Sequence, residues 1–278
     1  MPLKRKRMMP GLAITWLLLL TGAALMLLPY VWMVCSSSKA YGELLRLPFQ
    51  FLPKRWSLDN YWEVLKGMNF GRYYINTIFT AVTTVVGQLF FNSLAAYAFA
   101  CLDFPGRKKI FGVLLSLLMI PPQMTLVTNF TFLSGIGWTN HYIVLIVPGL
   151  ISVYGIFFMR QFFMGTPREL LESAYIDGAG HFRIYWQMVL PLSRNALVAY
   201  GIFALLGQWN ELLWPLTMTS SDGVRVLSLA IAALQGQNTT KFQLIMAASV
   251  LSTAPMILVF ILGQKSLIEG IAITGLKA

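Results

Sequence analysis

The stretch TPRELLESAYIDGAGHFRIYWQMVLP, residues 166–191, is the longest charge-bearing segment in the second half of the chain. It begins with the Thr-x-x-Glu spacing of a capping box at Thr166, and Pro167 suits the first position of a helix. The run Gly-Ala-Gly at 178–180 interrupts the helical pattern, because glycine tolerates backbone angles that other residues avoid. The stretch therefore predicts a helix, a glycine turn and a second helix that ends at the Leu-Pro pair, residues 190 and 191.

Both predicted helices have a narrow apolar face between charged residues. In each helix the apolar residues recur three or four positions apart. The two faces consist of Leu170, Leu171, Ala174 and Tyr175, then Phe182, Tyr185, Trp186 and Val189. A short apolar face of this kind suits docking into a groove on a partner protein.

The composition indicates a membrane protein. The chain of 278 residues is 57% hydrophobic and 11% charged, whereas a soluble domain is typically about a quarter charged. The net charge of +11 does not indicate nucleic-acid binding, because the basic residues are spread over many short loops. We expect an all-α integral membrane protein with a single transmembrane domain over residues 1–278.

Six apolar runs are long enough to cross a bilayer. They lie at about residues 11–34, 73–101, 110–133, 143–163, 195–217 and 243–262, so the segment 166–191 falls between the fourth and the fifth. Four basic residues precede the first run and place the N-terminus in the cytoplasm, and an even number of spans places the C-terminus there too. The predicted external segment 35–72 carries six cations, which weighs against this orientation, whereas the shorter loops favour it.

The sequence shows no catalytic or metal-binding constellation. Cys35 and Cys101 fall near opposite membrane faces, and His141 and His181 lie in different loops. The run that begins at Gly263 lacks the second glycine of a phosphate-binding loop, so we do not expect the chain to bind ATP or another cofactor. We therefore do not expect an enzyme.

The segment 166–191 resembles the cytoplasmic coupling loop of binding-protein-dependent ABC importer permeases. The pattern of that family is Glu-Ala-Ala, three residues, Gly, nine residues and Ile-x-Leu-Pro. This chain has Glu172-Ser173-Ala174, then Gly178, then Met188-Val189-Leu190-Pro191, so Ser replaces one Ala and Met replaces Ile. The run Ile-Asp-Gly-Ala at 176–179 is typical of sugar-uptake permeases of the maltose type, which the chain resembles from Pro29 to its end.

The resemblance implies a type I ABC importer permease fold in a bacterial inner membrane, with a coupling helix between spans four and five. It also implies two ATPase subunits that use ATP and Mg, a second permease subunit in a heterodimer, and an extracellular binding protein that delivers a carbohydrate, in particular an oligosaccharide. The residues to which it assigns coupling with the ATPase are Glu172, Ser173, Ala174, Asp177, Gly178, Leu190 and Pro191.

Polar residues inside the predicted spans suggest a substrate path. The paired prolines at 121 and 122 interrupt the third span, either as a broken helix that lines the path or as a simple bend. Glu211 is the one acid predicted inside a span, and it either contacts substrate or only caps a neighbouring helix. The candidate path residues are Gln123, Asn129, Trp209, Asn210 and Glu211.

The predicted external loop 218–242 precedes the last span and is rich in amide side chains. In the permeases that the chain resembles, this loop approaches the sugar site of the docked binding protein. Gln235, Gln237 and Asn238 are therefore candidate contacts with the binding protein, and an ordinary turn is the alternative.

Two other functions stay open at this point. An ion- or proton-coupled secondary carrier would need intramembrane acids or histidines, and only Glu211 is available. An ABC importer for glycerol phosphate would need cationic groups along the path, and the predicted span interiors contain none.

Overall fold

The computed structural model describes residues 10–67, 69–235 and 241–275. Within these ranges all regular structure is helical, which confirms the predicted all-α class. The described α-helices are α1 (Pro10–Ser37), α2 (Asp59–Gly67), α3 (Phe70–Cys101), α4 (Arg107–Ser116), α5 (Leu126–Gly135), α6 (Tyr142–Ile146), α7 (Val153–Phe163), α8 (Arg168–Ile176), α9 (His181–Ile184), α10 (Leu190–Leu192), α11 (Arg194–Asn210), α12 (Leu213–Met218), α13 (Leu227–Gln235) and α14 (Phe242–Gly275).

The chain divides into two compact units. The first comprises Met1–Met68 and Ala233–Thr253, and it contains α1 and α2. The second comprises Asn69–Ala232 and Ala254–Ala278, and it contains α3 to α12.

The described helices include four to six candidate membrane spans. Four stretches are long and apolar enough to cross a bilayer: Ile14–Ser37, Phe70–Cys101, Tyr142–Phe163 and Phe242–Ile268. Two bent helix pairs, Arg107–Met119 with Pro122–Gly135 and His181–Leu192 with Arg194–Asn210, raise the number to six if each pair is one span. The chain is therefore a multi-pass membrane protein.

Two segments near the end of the chain contain more helix than the sequence predicts. The predicted loop 218–242 contains α13, in which Leu227 and Ala230 are buried. Helix α14 continues to Gly275, beyond the predicted last span 243–262, and its apolar stretch reaches Ile268. Leu267 packs against Ile202 beyond the predicted end, and this apolar contact supports the extra helical turns.

Prolines cause two helix breaks, and side chains bind the carbonyls that the prolines leave free. A proline has no N–H for the carbonyl four residues earlier. Pro148 thus frees the carbonyl of Val144, which accepts a hydrogen bond from Nε1 of Trp214 at 2.8 Å. Pro215 likewise frees the carbonyl of Glu211, which accepts from Oγ of Ser228 at 2.7 Å. The predicted fourth and fifth spans are therefore interrupted helices.

The third predicted span is broken at the paired prolines. The helical stretches on the two sides of the break meet at 86°. A 3-10 turn over Pro122–Thr125 leads into α5. The structure thus has a sharp break at this point, and a contact of the break with substrate stays a prediction.

The buried face of α3 is polar along five turns. Asparagine, threonine and glutamine residues recur at every fourth position and are all buried, although α3 is one of the apolar stretches. Such side chains need partners within the protein, because lipid offers none. The residues of this stripe are Asn76, Thr80, Thr84, Gln88 and Asn92.

Candidate functional site

Helix α8 begins at Arg168, and Pro167 lies immediately before it. The capping box predicted from Thr166 and Glu169 is wrong, because no side chain caps this end. The backbone N–H of Thr166 donates instead to the carbonyl of Phe163 at 3.0 Å, in the turn that ends α7. Thr166 therefore belongs to the preceding helix end.

One face of α8 packs against the neighbouring helices of its unit. Leu171 and Ala174 are buried, whereas Leu170 and Tyr175 stay partly exposed. The buried face is therefore narrower than predicted. The core cluster that contains it, the coupling cluster, consists of Ala96, Tyr97, Met159, Phe163, Leu171, Ala174, Ile184, Tyr185, Val189 and Tyr200.

Gly178 ends α8 in the way the sequence predicts. Its φ is +79°, in the left-handed region. Its N–H donates to the carbonyl of Tyr175 at 3.0 Å, and the N–H of Ala179 donates to the carbonyl of Ala174 at 2.9 Å. These two bonds form a Schellman motif. A side chain at this position would add strain, because the left-handed region costs an L-residue roughly 1–2 kcal/mol.

The second half of the segment is less regular than predicted. A π-helical turn over Tyr185–Val189 separates α9 from α10, and α10 ends at Leu192 instead of at Pro191. Pro191 lies in α10, directly after the π-helical turn. Ile184, which the apolar pattern missed, is fully buried.

The outer side of the segment combines acids with exposed apolar groups. Ile176 is 87% exposed, and Phe182 and Trp186 are more than half exposed. Large apolar side chains in this position mark an interaction surface. Of the predicted coupling residues, the exposed ones are Glu172, Ser173, Asp177, Gly178 and Pro191, while Leu190 is half-buried against the coupling cluster.

A buried hydrogen-bond network lies next to the coupling cluster. Asn92 accepts from the N–H of Ser152 at 3.0 Å and donates to Oη of Tyr200 at 3.2 Å. Tyr200 donates to Gln88 at 2.8 Å, and Gln88 donates to the carbonyl of Gly149 at 2.6 Å. The network therefore joins α3 and α11 to the irregular stretch before α7.

The network and the coupling cluster share α3. The hydroxyls of Ser93 and Tyr185 lie 2.8 Å apart, and Ser93 follows Asn92 directly. Tyr200 belongs to both groups. The segment 166–191 is thus held to the long helix by polar as well as apolar contacts, and the sequence did not reveal Tyr200 as the shared residue.

The candidate path residues of the fifth span lie around a helix break. Trp209 is buried and meets Tyr74 edge-on, with ring centroids 5.7 Å apart. Asn210 is exposed and donates to a backbone carbonyl one turn earlier. Glu211 lies between α11 and α12, and its carboxylate accepts the N–H of Trp214 at 3.2 Å. This geometry matches the capping alternative for Glu211.

Trp209 and Glu211 border the same cavity, which measures about 20 Å³. It has room for a water molecule and none for a sugar ring. Gln123 and Asn129 do not line this cavity. Gln123 is exposed, and Nδ2 of Asn129 donates to Oγ1 of Thr125 at 3.4 Å. A role of these residues in substrate binding stays a prediction.

The predicted contacts with a binding protein lie at the end of α13. Gln235 is the last residue of that helix and is exposed. Gln237 and Asn238 lie outside the described residues.

The first unit gives two charged residues of segment 35–72 a structural role. Lys39 is buried and donates from Nζ to the carbonyl of Gln50 at 2.6 Å. Burial lowers the pKa of Lys39, against the opposing effect of nearby Glu43. The carboxylate of Glu43 accepts the N–H groups of Lys54 at 2.9 Å and Ala40 at 3.1 Å. These bonds, the one from Lys54 first, lower the pKa of Glu43.

Both the amino-acid sequence and the described fold match known proteins. Residues 7–272 match the family described as binding-protein-dependent transport system inner membrane component. The diacetylchitobiose uptake system permease of Streptomyces coelicolor is 32% identical, over 91% of this chain and 85% of that protein. The arabinooligosaccharides transport system permease of Bacillus subtilis is also 32% identical, over 91% of both chains. The sn-glycerol-3-phosphate transport system permease of Yersinia pestis is 30% identical, over 92% and 94%.

Solved structures show the same fold. A bacterial ABC transporter involved in the import of the acidic polysaccharide alginate matches with a TM-score of 0.80 and 21% identity, over 95% of this chain and 99% of that one. A second alginate ABC transporter, in complex with a pentasaccharide-bound periplasmic protein, matches with a TM-score of 0.68 and 16% identity, over 93% and 96%.

Proposed function

The chain belongs to the family of binding-protein-dependent transport system inner membrane components, and from this premise we propose that it forms half of the translocation path of an ATP-driven bacterial carbohydrate importer. The proposal rests mainly on the arrangement of the segment 166–191. Its inner face packs in the coupling cluster, while Glu172, Asp177 and Ile176 remain exposed for a partner. The energy for transport comes from ATP and Mg at two separate ATPase subunits.

The proposed mechanism is alternating access. Closure of the ATPase subunits moves α8, and the coupling cluster transmits this movement to α3 and α7. The contacts of Leu171 and Ala174 in that cluster support this transmission. Glu172 is exposed and free to pair with a basic residue of the ATPase groove.

The proposed substrate is an oligosaccharide, delivered by an extracellular binding protein. Two relatives at 32% identity are named for the uptake of diacetylchitobiose and arabinooligosaccharides. Glycerol phosphate is the second candidate, because a relative at 30% identity is named for it. A phosphate monoester would need a cation along the path, and the candidate path residues Gln123, Asn129, Trp209, Asn210 and Glu211 include none.

The remaining partners and the topology complete the proposal. A second, different permease subunit supplies the other half of the path. Both termini lie in the cytoplasm. Gln235, Gln237 and Asn238 remain the proposed contacts with the binding protein on the opposite side. The basic N-terminal run before α1 supports this orientation.

Co-purification from native membranes tests the proposal. The tagged chain is solubilised in mild detergent, its companions are identified, and ATPase activity is measured. We expect a P-loop ATPase and a second permease in the preparation. A chain that is isolated alone and transports without ATP would support a secondary carrier instead, and Glu211 would then be the first residue to replace.

A matched pair of glycine variants tests the coupling role of α8. Gly178→Asp should abolish uptake while the protein stays in the membrane, because the new side chain strains a backbone with φ +79° and alters the docking surface. Gly180→Asp is the control, since Gly180 has φ −71° at the N-cap of α9, where aspartate is favoured. Normal uptake by Gly178→Asp would contradict the assignment.

A further inference from the structure

A basic cleft lies beside α8, at the ends of two membrane spans. Its volume is about 250 Å³. Three guanidinium groups line it: Arg107 at the start of α4, Arg160 near the end of α7 and Arg168 at the start of α8. Two acids, Asp103 and Glu172, line it as well, so the cleft has an excess of positive charge.

Internal contacts leave part of this charge without a carboxylate partner. Arg107 pairs with Asp103 at 2.9 Å. Arg160 donates from Nε to the carbonyl of Phe99 at 3.1 Å and lies 4.2 Å from the ring centroid of Phe111. Within the described ranges, neither Arg160 nor Arg168 forms an ion pair. Both arginines therefore retain N–H groups for an anion in the cleft.

The position of the cleft indicates the source of the anion. The apolar stretches Phe70–Cys101 and Tyr142–Phe163 both end at its lining. The exposed residues Ile110 and Val113 of α4, and Leu117 directly after it, follow Arg107 at helical spacing. They form an apolar surface that begins beside the charged groups. A ligand with a charged headgroup and an apolar tail would contact both the arginines and the adjoining apolar surface. A soluble anion would contact only the arginines.

We propose that the cleft binds the phosphate of an anionic phospholipid. Arginine presents paired N–H groups that match phosphate oxygens, and basic pockets between membrane helices on the cytoplasmic side are suited to anionic headgroups. The acyl chains lie along the exposed face of α4. Because Arg168 and Leu171 of α8 line the same cleft, a bound lipid contacts α8 directly.

The test is native mass spectrometry of the full chain in detergent, titrated with phosphatidylglycerol or phosphatidylcholine. We expect phosphatidylglycerol to bind at least tenfold more tightly. The double variant Arg160→Gln with Arg168→Gln should lose most or all of that preference, because each arginine near the headgroup contributes about 1 kcal/mol, or about fivefold. The control is Arg183→Gln with Arg194→Gln, which removes the same charge from exposed positions that do not line the cleft. It should keep the preference.

Further measurements distinguish a lipid site from a site for free anions and from a contact with the ATPase. Arg168→Gln alone changes an exposed side chain and should lose about fivefold without affecting folding. Competition by inorganic phosphate at the concentration of the lipid would show a site for free anions and overturn the lipid assignment. Unchanged lipid binding by the double variant would overturn it too. Loss of a co-purified ATPase with unchanged lipid binding would assign the arginines to that partner instead.

Discussion

Replacing Gly155 by alanine should destabilise the protein, because Gly155 lies where the buried network is most crowded. A Cβ at this position would lie 2.3 Å from Oη of Tyr200 and 2.7 Å from Nδ2 of Asn92. Contacts under 3.0 Å require one of these groups to move. Both are buried and hydrogen-bonded to each other, so neither can move without breaking the network.

The magnitude follows from three contributions. Overpacking of a well-packed site costs about 1–3 kcal/mol. Loss of the two hydrogen bonds made by Tyr200, to Asn92 and Gln88, adds about 0.6 kcal/mol each, the average for bonds between membrane helices. Replacing glycine by alanine in a helix offsets about 0.5–1 kcal/mol. The free energy of unfolding should therefore fall by about 1–4 kcal/mol.

The assay is reversible unfolding in mixed micelles, followed by circular dichroism, with Gly112→Ala as the matched control. Gly112 lies within α4, and no atom lies within 4 Å of its added Cβ. This variant should gain about 0.5–1 kcal/mol, because only the helix preference changes. The two substitutions thus have opposite expected signs. Equal stability of the two variants would refute the reasoning about the network.

Two further predictions concern single hydrogen-bonding groups. Trp214→Phe leaves the carbonyl of Val144 without its donor, so the free energy of unfolding in micelles should fall by about 1 kcal/mol; an unchanged value would show that this bond is not needed. The pKa of Glu43 is lowered in the folded protein, so its bonds to Lys54 and Ala40 stabilise the segment above the ordinary value of 4.5 and weaken as the pH falls through the lowered pKa. The protection factors of residues 40–54, which correct the exchange rates for their intrinsic pH dependence, should therefore fall below pH 4.5 in the wild type and change little in Glu43→Gln; identical profiles would contradict this role.

The sequence predicts local chemistry better than partners in space. The turn at Gly178 follows from the glycine itself, and the structure confirms it. The capping box at Thr166 has the correct spacing, yet its first residue is taken up by the end of α7 through Phe163. The spacing alone does not show that the turn at the end of α7 includes Thr166 and leaves Pro167 before the first residue of α8.

The interrupted spans illustrate the same limit. The prolines at 148 and 215 are visible in the sequence, but the donors that occupy the freed carbonyls, Trp214 and Ser228, come from distant positions. The polar stripe from Asn76 to Asn92 is also visible at every fourth position. The partners of Asn76, Gln88 and Asn92 could not be predicted, because they include backbone groups of irregular segments that only the folded chain brings into reach.

Uptake by proteoliposomes tests the central claim most directly. The chain is reconstituted alone or with the subunits that co-purify with it, and entry of a labelled oligosaccharide is measured with its binding protein, with and without internal ATP and Mg. We predict uptake only by the full assembly with ATP, and none when the assembly carries Gly178→Asp. ATP-independent uptake by the chain alone would contradict the account and identify a secondary carrier.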